Sequence, residues 1–284
     1  MSYVNMGQIL KKAREERYAV GAFNILNHLT AKAVIDAAEE LRSPLILQTS
    51  TATVKFHGVD GLIKQLIPMA EYASIPVAVH LDHCTDADLA KKCLDAGWSS
   101  VMFDGSKKPL DENIRLTKEI AAYAKKYNAT VEGELGAIVG VEEDVIVASG
   151  DEALAKVDEC KIFLEQTGID AFAPAIGTAH GLYKGKPKIN FDLFKEIEEI
   201  SSCPLVVHGG TGLEGDVFKQ LISLGAAKVN ISTAIKIAYC SGLKSYIENN
   251  ADKVEPLKLD QHVIDVVKNT TKEHILLFGS ANRI

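Results

Sequence analysis

Residues that could carry chemistry directly follow an apolar run in the stretch Val77-Ala78-Val79-His80-Leu81-Asp82-His83. This pattern is typical of a buried strand whose last side chains reach the mouth of a pocket. We predict that Asp82 is a proton carrier and His83 a metal ligand, and that the ends of other strands complete the site. His80 shares a strand face with Asp82, two residues on, and is interpreted as a supporting or packing residue.

Two further histidines occupy comparable positions, since His180 follows an apolar stretch at 171–176 and His208 ends another at 204–208. A single histidine after a strand is more often a hydrogen-bonded structural residue. Three histidines at the ends of strands could lie together at one end of a sheet or barrel. Such a group favours Zn²⁺, which takes three protein ligands in catalytic sites and keeps one position open. The other histidines lie on helical or distal loop stretches and are expected at the surface: His28, His57, His262 and His274.

Two turns could bind phosphate, His-Gly-Gly-Thr-Gly at 208–212 and Asn-Ile-Ser-Thr at 230–233. Glycines expose backbone N–H groups, and a helix N-terminus beside them attracts an anion. The first turn alone would be read as an ordinary tight turn. Directly after a candidate metal ligand, phosphate binding is the better interpretation.

A metal and a phosphate on one rim favour a phosphorylated carbonyl substrate. The metal would polarise a carbonyl and stabilise the enediolate left by removal of an α proton. Such chemistry needs a base for carbon and an acid for oxygen. Asp82 lies beside the metal ligand, and Glu142 or Glu143 could supply the second group from the loop 136–150, although acidic loops are often only solvated.

Strand and helix patterns alternate along the whole chain, which predicts one (β/α)8 TIM barrel over residues 1–284 with extra C-terminal helices. The first strand-to-helix turn lacks Gly-x-Gly-x-x-Gly, so the alternative, a doubly wound sheet, gains no support. The predicted strands are 18–24, 45–48, 77–83, 100–104, 130–135, 171–176, 204–208 and 228–232. The predicted helices are 6–17, 30–41, 60–73, 86–96, 110–127, 151–167, 191–200, 213–224, 234–248 and 257–278.

The bulk composition of the 284 residues fits a globular enzyme, with 47% hydrophobic and 24% charged residues. The net charge of −7 and the lack of a Lys/Arg block argue against nucleic acid as a partner. No apolar segment approaches the length of a membrane span, about 18 residues, and no signal peptide is visible. The five cysteines are widely spaced without a Cys-x-x-Cys pair, which indicates reduced thiols and a cytoplasmic protein.

Five motifs occur in order along the chain: His80-Leu-Asp-His83, Val131-Glu-Gly-Glu-Leu-Gly136, Gly177-Thr-Ala-His-Gly181, Val207-His-Gly-Gly-Thr-Gly212 and Val229-Asn-Ile-Ser-Thr233. Together they resemble the motifs of a known family, the class II, metal-dependent ketose-bisphosphate aldolases, which include fructose-1,6- and tagatose-1,6-bisphosphate enzymes. The resemblance implies a barrel that forms homodimers or homotetramers. It also implies reversible aldol cleavage of a sugar phosphate to dihydroxyacetone phosphate and an aldehyde such as glyceraldehyde 3-phosphate.

The resemblance also assigns roles by motif position. Asp82 would exchange a proton with the hydroxyl at the cleaved carbon, and Glu142 would be the carbon base. A monovalent cation, Na⁺ or K⁺, could accompany the phosphate. The Zn²⁺ ligands would be His83, His180 and His208, with Glu134 and Asp104 at an alternative or second metal position. The implied contacts to dihydroxyacetone phosphate are Gly181, Gly209, Gly210, Thr211, Asn230, Ile231, Ser232 and Thr233, supported by Asn24, Ser50 and Lys184.

Three departures from the family pattern concern the loop and the substrate. The loop reads Val139-Gly-Val-Glu-Glu143 where the family has Gly-Gly-x-Glu-Asp, which puts its flexibility in question. Ser232 favours a substrate with tagatose-type stereochemistry. Leu257 stands where the family often has a phosphate-binding arginine, and leucine cannot clamp a phosphate. The aldehyde could therefore lack a phosphate, or be held by another group such as Lys258.

Other functions stay open on sequence alone. One is an aldolase acting on a ketose 1-phosphate whose aldehyde part is unphosphorylated, and another is a non-catalytic barrel that binds sugar phosphates. A Schiff-base aldolase ranks low, because Lys228 starts a predicted strand rather than ending it.

Overall fold

The computed structural model describes residues 2–136, 138, 140–142, 145–147, 154–181 and 187–284, with only the backbone described at 140–142 and 145–147. In these residues ten strands form: Val20–Asn24 (β1), Leu45–Ser50 (β2), Val77–Cys84 (β3), Ser100–Phe103 (β4), Thr130–Leu135 (β5), Gly140–Glu142 (β6), Val145–Val147 (β7), Ala171–Pro174 (β8), Leu205–Val207 (β9) and Ala226–Ile231 (β10). Eight of them close into a parallel barrel in the order β1-β10-β9-β8-β5-β4-β3-β2. The predicted fold class is confirmed.

Helices surround the barrel, and the last one follows the eight β/α units as the predicted C-terminal extension. The α-helices of the described chain are Met6–Glu16 (α1), His28–Glu40 (α2), Thr51–His57 (α3), Val59–Tyr72 (α4), Ala87–Ala96 (α5), Leu110–Ala124 (α6), Val157–Thr167 (α7), Phe191–Ile200 (α8), Gly215–Leu224 (α9), Thr233–Asn249 (α10) and Pro256–Leu277 (α11).

The amino end of the barrel is closed by apolar contacts from α1. Met6 and Leu10 on this helix are fully buried, in one cluster with Ala22, Ile46 and Ala78 from the barrel interior. The small side chains of Ala22 and Ala78 leave room for those of the helix. Water is therefore excluded from the amino end, and the carboxyl end of the strands is left for polar groups.

Strand register aligns these polar groups in layers. The β2–β3 pairing sets Gln48 opposite His80 and Ser50 opposite Asp82. Because alternate residues of a strand share a face, all four side chains point into the barrel, above the apolar residues Ile46 and Ala78. A polar layer thus begins directly above the apolar one.

Two segments differ from the predicted pattern. Thr51–His57 forms a short helix that was not predicted, since its β-branched residues are weak helix formers. Ser50 starts it by accepting a hydrogen bond from the Thr53 backbone N–H at 3.2 Å. The stretch 136–150, predicted as a loop, contains an antiparallel hairpin that pairs Val141 with Ile146. For the helix predicted over 151–167, residues 151–153 lie outside the described part of the chain, and α7 spans Val157–Thr167.

Among the described helices, none has both the length and the apolar composition that a membrane span requires. The five cysteines, all in described segments, are free thiols, and four of them are buried.

The prediction of surface positions was wrong for part of the remaining histidines, because His28 is exposed whereas His57, His262 and His274 are partly buried. His274 packs edge-on between Phe23 and Phe278, with ring centroids 6.3 and 5.8 Å away. Burial lowers the pKa of His274, against the raising effect of its hydrogen bond to the Thr270 carbonyl.

We expect His274 to make the folded protein sensitive to mild acid. The unfolded chain takes up a proton near the ordinary histidine pKa, about 6.5. The folded chain resists that proton, so the free energy of unfolding falls as the pH drops below that value. His274→Gln should lose less stability between pH 7.5 and pH 5 than the wild type, measured by urea denaturation. His28→Gln, at an exposed position, is the control. Equal pH slopes for His274→Gln and the wild type would contradict this assignment.

Candidate active site

The carboxylate of Asp82 is held from both sides by amides. Asn24 Nδ2 donates to Asp82 Oδ2 at 2.9 Å, and Asn230 Nδ2 donates to Oδ1 at 3.3 Å. Gln48 Nε2 in turn donates to Asn24 Oδ1 at 2.8 Å, which fixes the orientation of that amide. Two donated hydrogen bonds stabilise the ionised carboxylate. The two amides thus fix the Asp82 carboxylate in place on β3.

His83 reaches the same pocket as Asp82 because the strand is irregular there. In a regular strand, consecutive side chains point to opposite faces. The β3–β4 register shifts between Leu81 and Cys84, and His83 has a left-handed backbone with φ of 44°. A bulge of this kind re-aims a side chain next to a site. Neighbouring residues can therefore serve as proton carrier and ligand.

Three histidines converge at this point. His83 Nε2 lies 2.8 Å from His208 Nδ1, and the His180 ring centroid is 4.9 Å from that of His83. One nitrogen of each of the three lies within 4.8 Å of the others. The structure therefore brings the three predicted metal ligands together.

Buried carboxylates lie behind two of these rings. Asp104 Oδ2 is 3.1 Å from His83 Nδ1, and Glu132 Oε1 is 2.7 Å from His208 Nε2. Burial opposes ionisation of Asp104, but hydrogen bonds from His83 and Ser106 hold its pKa below the ordinary value. Burial likewise opposes ionisation of Glu132, but the charge of Lys228 and the hydrogen bond with His208 lower its pKa well below the usual range.

An ionised carboxylate can only accept a hydrogen bond, so the nitrogens facing Asp104 and Glu132 carry the protons. The other two nitrogens, His83 Nε2 and His208 Nδ1, then face each other at hydrogen-bond distance, 2.8 Å. Burial lowers the pKa of His208 to about 4, which keeps its ring neutral. Imidazole nitrogens that converge in this way are ligands that Zn²⁺ commonly takes in proteins.

Glu134 adds an oxygen to this arrangement. Its Oε2 lies 3.4 Å from His208 Nδ1 and has no hydrogen-bond partner within the described part of the chain. Burial and the neighbouring Asp104 raise the pKa of Glu134 well above its ordinary value. His83, Asp104 and Glu134 form a second group with metal-ligand spacing. His83 belongs to both groups, so the residues fit a divalent metal held by either set.

A small polar pocket lies next to His180. Its wall includes the first residues of α10, where Ser232 is the N-cap without a side-chain capping bond. Backbone N–H groups at a helix N-terminus attract anions. The lining residues are His180, Gly181, Gly209, Gly210, Thr211, Asn230, Ser232, Thr233 and Lys236. The pocket has the composition of a phosphate site.

The glycines of this pocket allow close backbone contact. Gly209 has φ of +68°, and a Cβ placed on it would lie 2.3 Å from the Ala179 carbonyl oxygen. A Cβ on Gly210 would lie 2.8 Å from the backbone carbonyl oxygen of Asn230. The turn after β9 can therefore lie against Ala179, next to His180, and against β10 only if these residues are glycines.

Some predicted substrate contacts have other partners or fall outside the description. Ser50 caps α3 and lies beside Asp82 in the sheet, and Asn24 and Asn230 hold the Asp82 carboxylate. Ile231 is fully buried in the apolar core, so its side chain does not line the pocket. Lys184 and the side chain of Glu142 lie outside the described residues, although the Glu142 backbone is the last residue of β6.

Sequence reasoning gave no role to four residues that the structure places at or beneath the site. Lys236 lines the polar pocket, one helical turn after Thr233, and that spacing was a readable signal. Glu132 shares a strand face with Glu134, which was a weaker signal. Nothing local indicated the hydrogen bond of Gln48 to Asn24 or that of Lys228 to Glu132.

The chain matches the family model for class-II fructose-bisphosphate aldolase over residues 4–283. It is 39% identical to a 6-phospho-5-dehydro-2-deoxy-D-gluconate aldolase of Bacillus licheniformis, covering 100% of this chain and 97% of that protein. It is 38% identical to a fructose-bisphosphate aldolase of Geobacillus stearothermophilus, covering 100% and 99%. The crystal structure of the YdjI aldolase from Escherichia coli K12 superposes with a TM-score of 0.87 at 33% identity, covering 99% of each chain.

The chain therefore belongs to the class II fructose-bisphosphate aldolase family. Family membership and the names of the relatives indicate aldehyde-lyase activity on small sugar phosphates. The family is metal-dependent, in agreement with the cluster of histidines and carboxylates.

We expect Gly209→Ala to destabilise the protein. A non-glycine residue in this conformation costs about 1–3 kcal/mol, and the added Cβ also meets the Ala179 carbonyl. Gly61→Ala is the matched control, because Gly61 lies on α4 and a Cβ added there would meet no heavy atom within 4 Å. The control should be neutral or stabilising by up to about 1 kcal/mol. Urea denaturation measures both. A Gly209→Ala protein as stable as Gly61→Ala would refute the close contact.

Proposed function

We propose that the protein is a zinc-dependent aldolase that reversibly cleaves a ketose phosphate to dihydroxyacetone phosphate and an aldehyde. The observation that carries the proposal is the convergence of His83, His180 and His208 beside Asp82. A phosphate-type pocket at the start of α10 shares His180 with that cluster. We further propose that the enzyme works in the cytoplasm as a homodimer or homotetramer.

Two groups of residues would hold the metal. His83, His180 and His208 offer three nitrogens, the usual number of protein ligands in catalytic zinc sites. Asp104 and Glu134 offer the alternative or second position with His83. When bound, the metal supplies Lewis-acid polarisation of the substrate carbonyl.

Proton transfers are assigned to two carboxylates. Asp82, fixed by Asn24 and Asn230, exchanges the proton of the hydroxyl on the cleaved carbon. Glu142 is proposed as the base at carbon, carried on the hairpin β6–β7 that follows β5. This assignment meets the need for one proton carrier at oxygen and another at carbon.

The phosphate of dihydroxyacetone phosphate is assigned to the polar pocket. Gly181, Gly209 and Gly210 expose backbone there, and the first turn of α10 directs N–H groups toward it. Lys236 adds a positive charge, which matches a phosphate dianion. A monovalent cation, Na⁺ or K⁺, is proposed as a further counter-charge near this phosphate.

The aldehyde half of the substrate has two candidates. Fructose- or tagatose-1,6-bisphosphate would release glyceraldehyde 3-phosphate. A second candidate is a ketose carrying one phosphate, favoured by Leu257, whose side chain is 84% exposed where the family pattern has arginine. The name of the Bacillus licheniformis relative specifies such a substrate, a 5-keto-6-phospho sugar acid. Aldol cleavage of that compound gives dihydroxyacetone phosphate and a three-carbon aldehyde with a carboxylate.

Metal removal tests the reaction class. Dialysis against a chelator should abolish aldol cleavage, and added Zn²⁺ should restore it, because the carbonyl is then polarised again. Borohydride added with substrate should leave activity intact, since no lysine Schiff base forms. The opposite pattern, with chelator harmless and borohydride inactivating, would refute a metal-dependent mechanism.

Asp82→Asn and Glu142→Gln test the two proton carriers. Each should lower kcat by about 10²–10⁴-fold, the usual contribution of general acid–base catalysis. Asp88→Asn, on the exposed first turn of α5, is the control and should retain wild-type kcat. Unchanged turnover in either of the first two variants would remove that residue from the mechanism.

A panel of aldehydes in the condensation direction tests the substrate. With dihydroxyacetone phosphate held constant, kcat/KM is compared for glyceraldehyde 3-phosphate, glyceraldehyde and 3-oxopropanoate. If Leu257 reflects a missing phosphate clamp, the phosphorylated aldehyde should have no advantage. Leu257→Arg should then raise its kcat/KM selectively, since arginine binds phosphate through two hydrogen bonds. A strong wild-type preference for the phosphorylated aldehyde would favour the bisphosphate substrates.

A further inference from the structure

Lys228 is a fully buried lysine for which the proposed reaction has no direct use. It lies on β10 inside the barrel, with its Nζ 2.8 Å from Glu132 Oε2. A buried ammonium costs free energy unless it is paired and hydrogen-bonded. A Schiff-base role is disfavoured, because the ammonium is paired with this carboxylate beneath the site. Its contact with Glu132 is therefore the feature to explain.

Glu132 connects Lys228 to the histidine cluster. One carboxylate oxygen, Oε2, accepts from Lys228, and the other, Oε1, lies 2.7 Å from His208 Nε2. All three side chains are fully buried. Each oxygen of the carboxylate thus has its own partner, so the contact with Lys228 holds the carboxylate in the plane that keeps its other oxygen against His208 Nε2.

The partner of His208 Nε2 determines which nitrogen is left for a metal. While Glu132 accepts the Nε2 proton, Nδ1 keeps its lone pair and faces His83 Nε2 at 2.8 Å. If a donor replaced that oxygen, the proton would move to Nδ1. The ring would then turn a proton toward the cluster, and His208 could not act as a ligand.

We propose that Lys228 is a positioning residue for the metal centre. It holds the Glu132 carboxylate in the orientation that keeps the proton of His208 on Nε2 and leaves Nδ1 for the metal. The inference rests on the proposed metal site. It gives a role to Lys228, a buried lysine that the proposed reaction does not use directly.

Exchanging Glu132 for glutamine gives the sharpest test, because an amide has one oxygen and one NH₂ group. In Glu132→Gln, Lys228 requires the oxygen, so the NH₂ group faces His208 Nε2 as a donor. That arrangement forces the proton onto Nδ1. Zn²⁺ affinity should fall about 100-fold, the upper range for loss of a group that orients a metal ligand.

Removing the lysine as well should partly reverse the loss. In the Glu132→Gln/Lys228→Met double variant the amide is free to turn its oxygen toward His208. The NH₂ group then faces His80 Nε2, which lies 3.6 Å from Glu132 Oε2 and has no hydrogen-bond partner among the described residues. The double variant should therefore bind Zn²⁺ more tightly than Glu132→Gln alone. Lys228→Met alone should weaken binding about tenfold.

The control is the same set of single and double variants at a surface ion pair with the same separation between its charged atoms. Lys32 Nζ lies 2.8 Å from Asp36 Oδ2 on α2. Lys32→Met, Asp36→Asn and their combination should leave Zn²⁺ affinity unchanged, because neither residue contacts the histidine cluster.

Two measurements on the full-length chain decide the question. Competition with a chromophoric chelator gives the Zn²⁺ affinity of each variant. Nitrogen-15 chemical shifts of the His208 ring in the metal-free protein report which nitrogen carries the proton. We expect the proton on Nε2 in the wild type and double variant, and on Nδ1 in Glu132→Gln.

A double variant that binds Zn²⁺ no better than Glu132→Gln, or a Glu132→Gln protein that keeps the proton on Nε2, would overturn the inference. If variants lacking Lys228 fail to fold, the comparison of Glu132→Gln with the wild type still decides it by the ring shifts. A wild-type chain that does not bind Zn²⁺ would refute the proposed metal site instead, a result distinct from failure of the positioning role.

Discussion

The candidate site depends on two imidazole nitrogens that face each other, His83 Nε2 and His208 Nδ1, 2.8 Å apart. Each ring keeps its proton on the far side, against the buried carboxylate of Asp104 or Glu132. The carboxylates behind the rings therefore shape the centre as much as the histidines do, because they determine where the lone pairs point.

The barrel makes this arrangement possible because its apolar end is separate from its polar end. Helix α1 closes the amino end, so the buried charges of the carboxyl half must find partners within the barrel. Lys228 and Glu132 do so directly, which offsets the cost of burying them. On the open rim, a small polar pocket is lined by glycines, by His180 and by the first residues of α10.

Much of this could be predicted from the sequence. The alternation of strand and helix patterns indicated the barrel, and the polar residues at the strand ends indicated its functional rim. His83, His180 and His208 were selected in this way, and the structure brings them together. These features are readable because the periods of strands and helices, and the change from apolar to polar residues, are local properties of the chain. The short helix α3 and the hairpin β6–β7 were missed, since segments this short carry too few residues for a periodic signal.

The sequence by itself thus determined the fold class, the rim and the metal-binding residue types. Only the tertiary structure decided how they are oriented. Simple alternation would send Asp82 and His83 to opposite faces of β3, and the bulge against β4 brings both inside. The contact between Lys228 and Glu132 joins residues 96 positions apart. Such contacts leave no local pattern, because closure and strand register across the barrel decide which buried charge meets which.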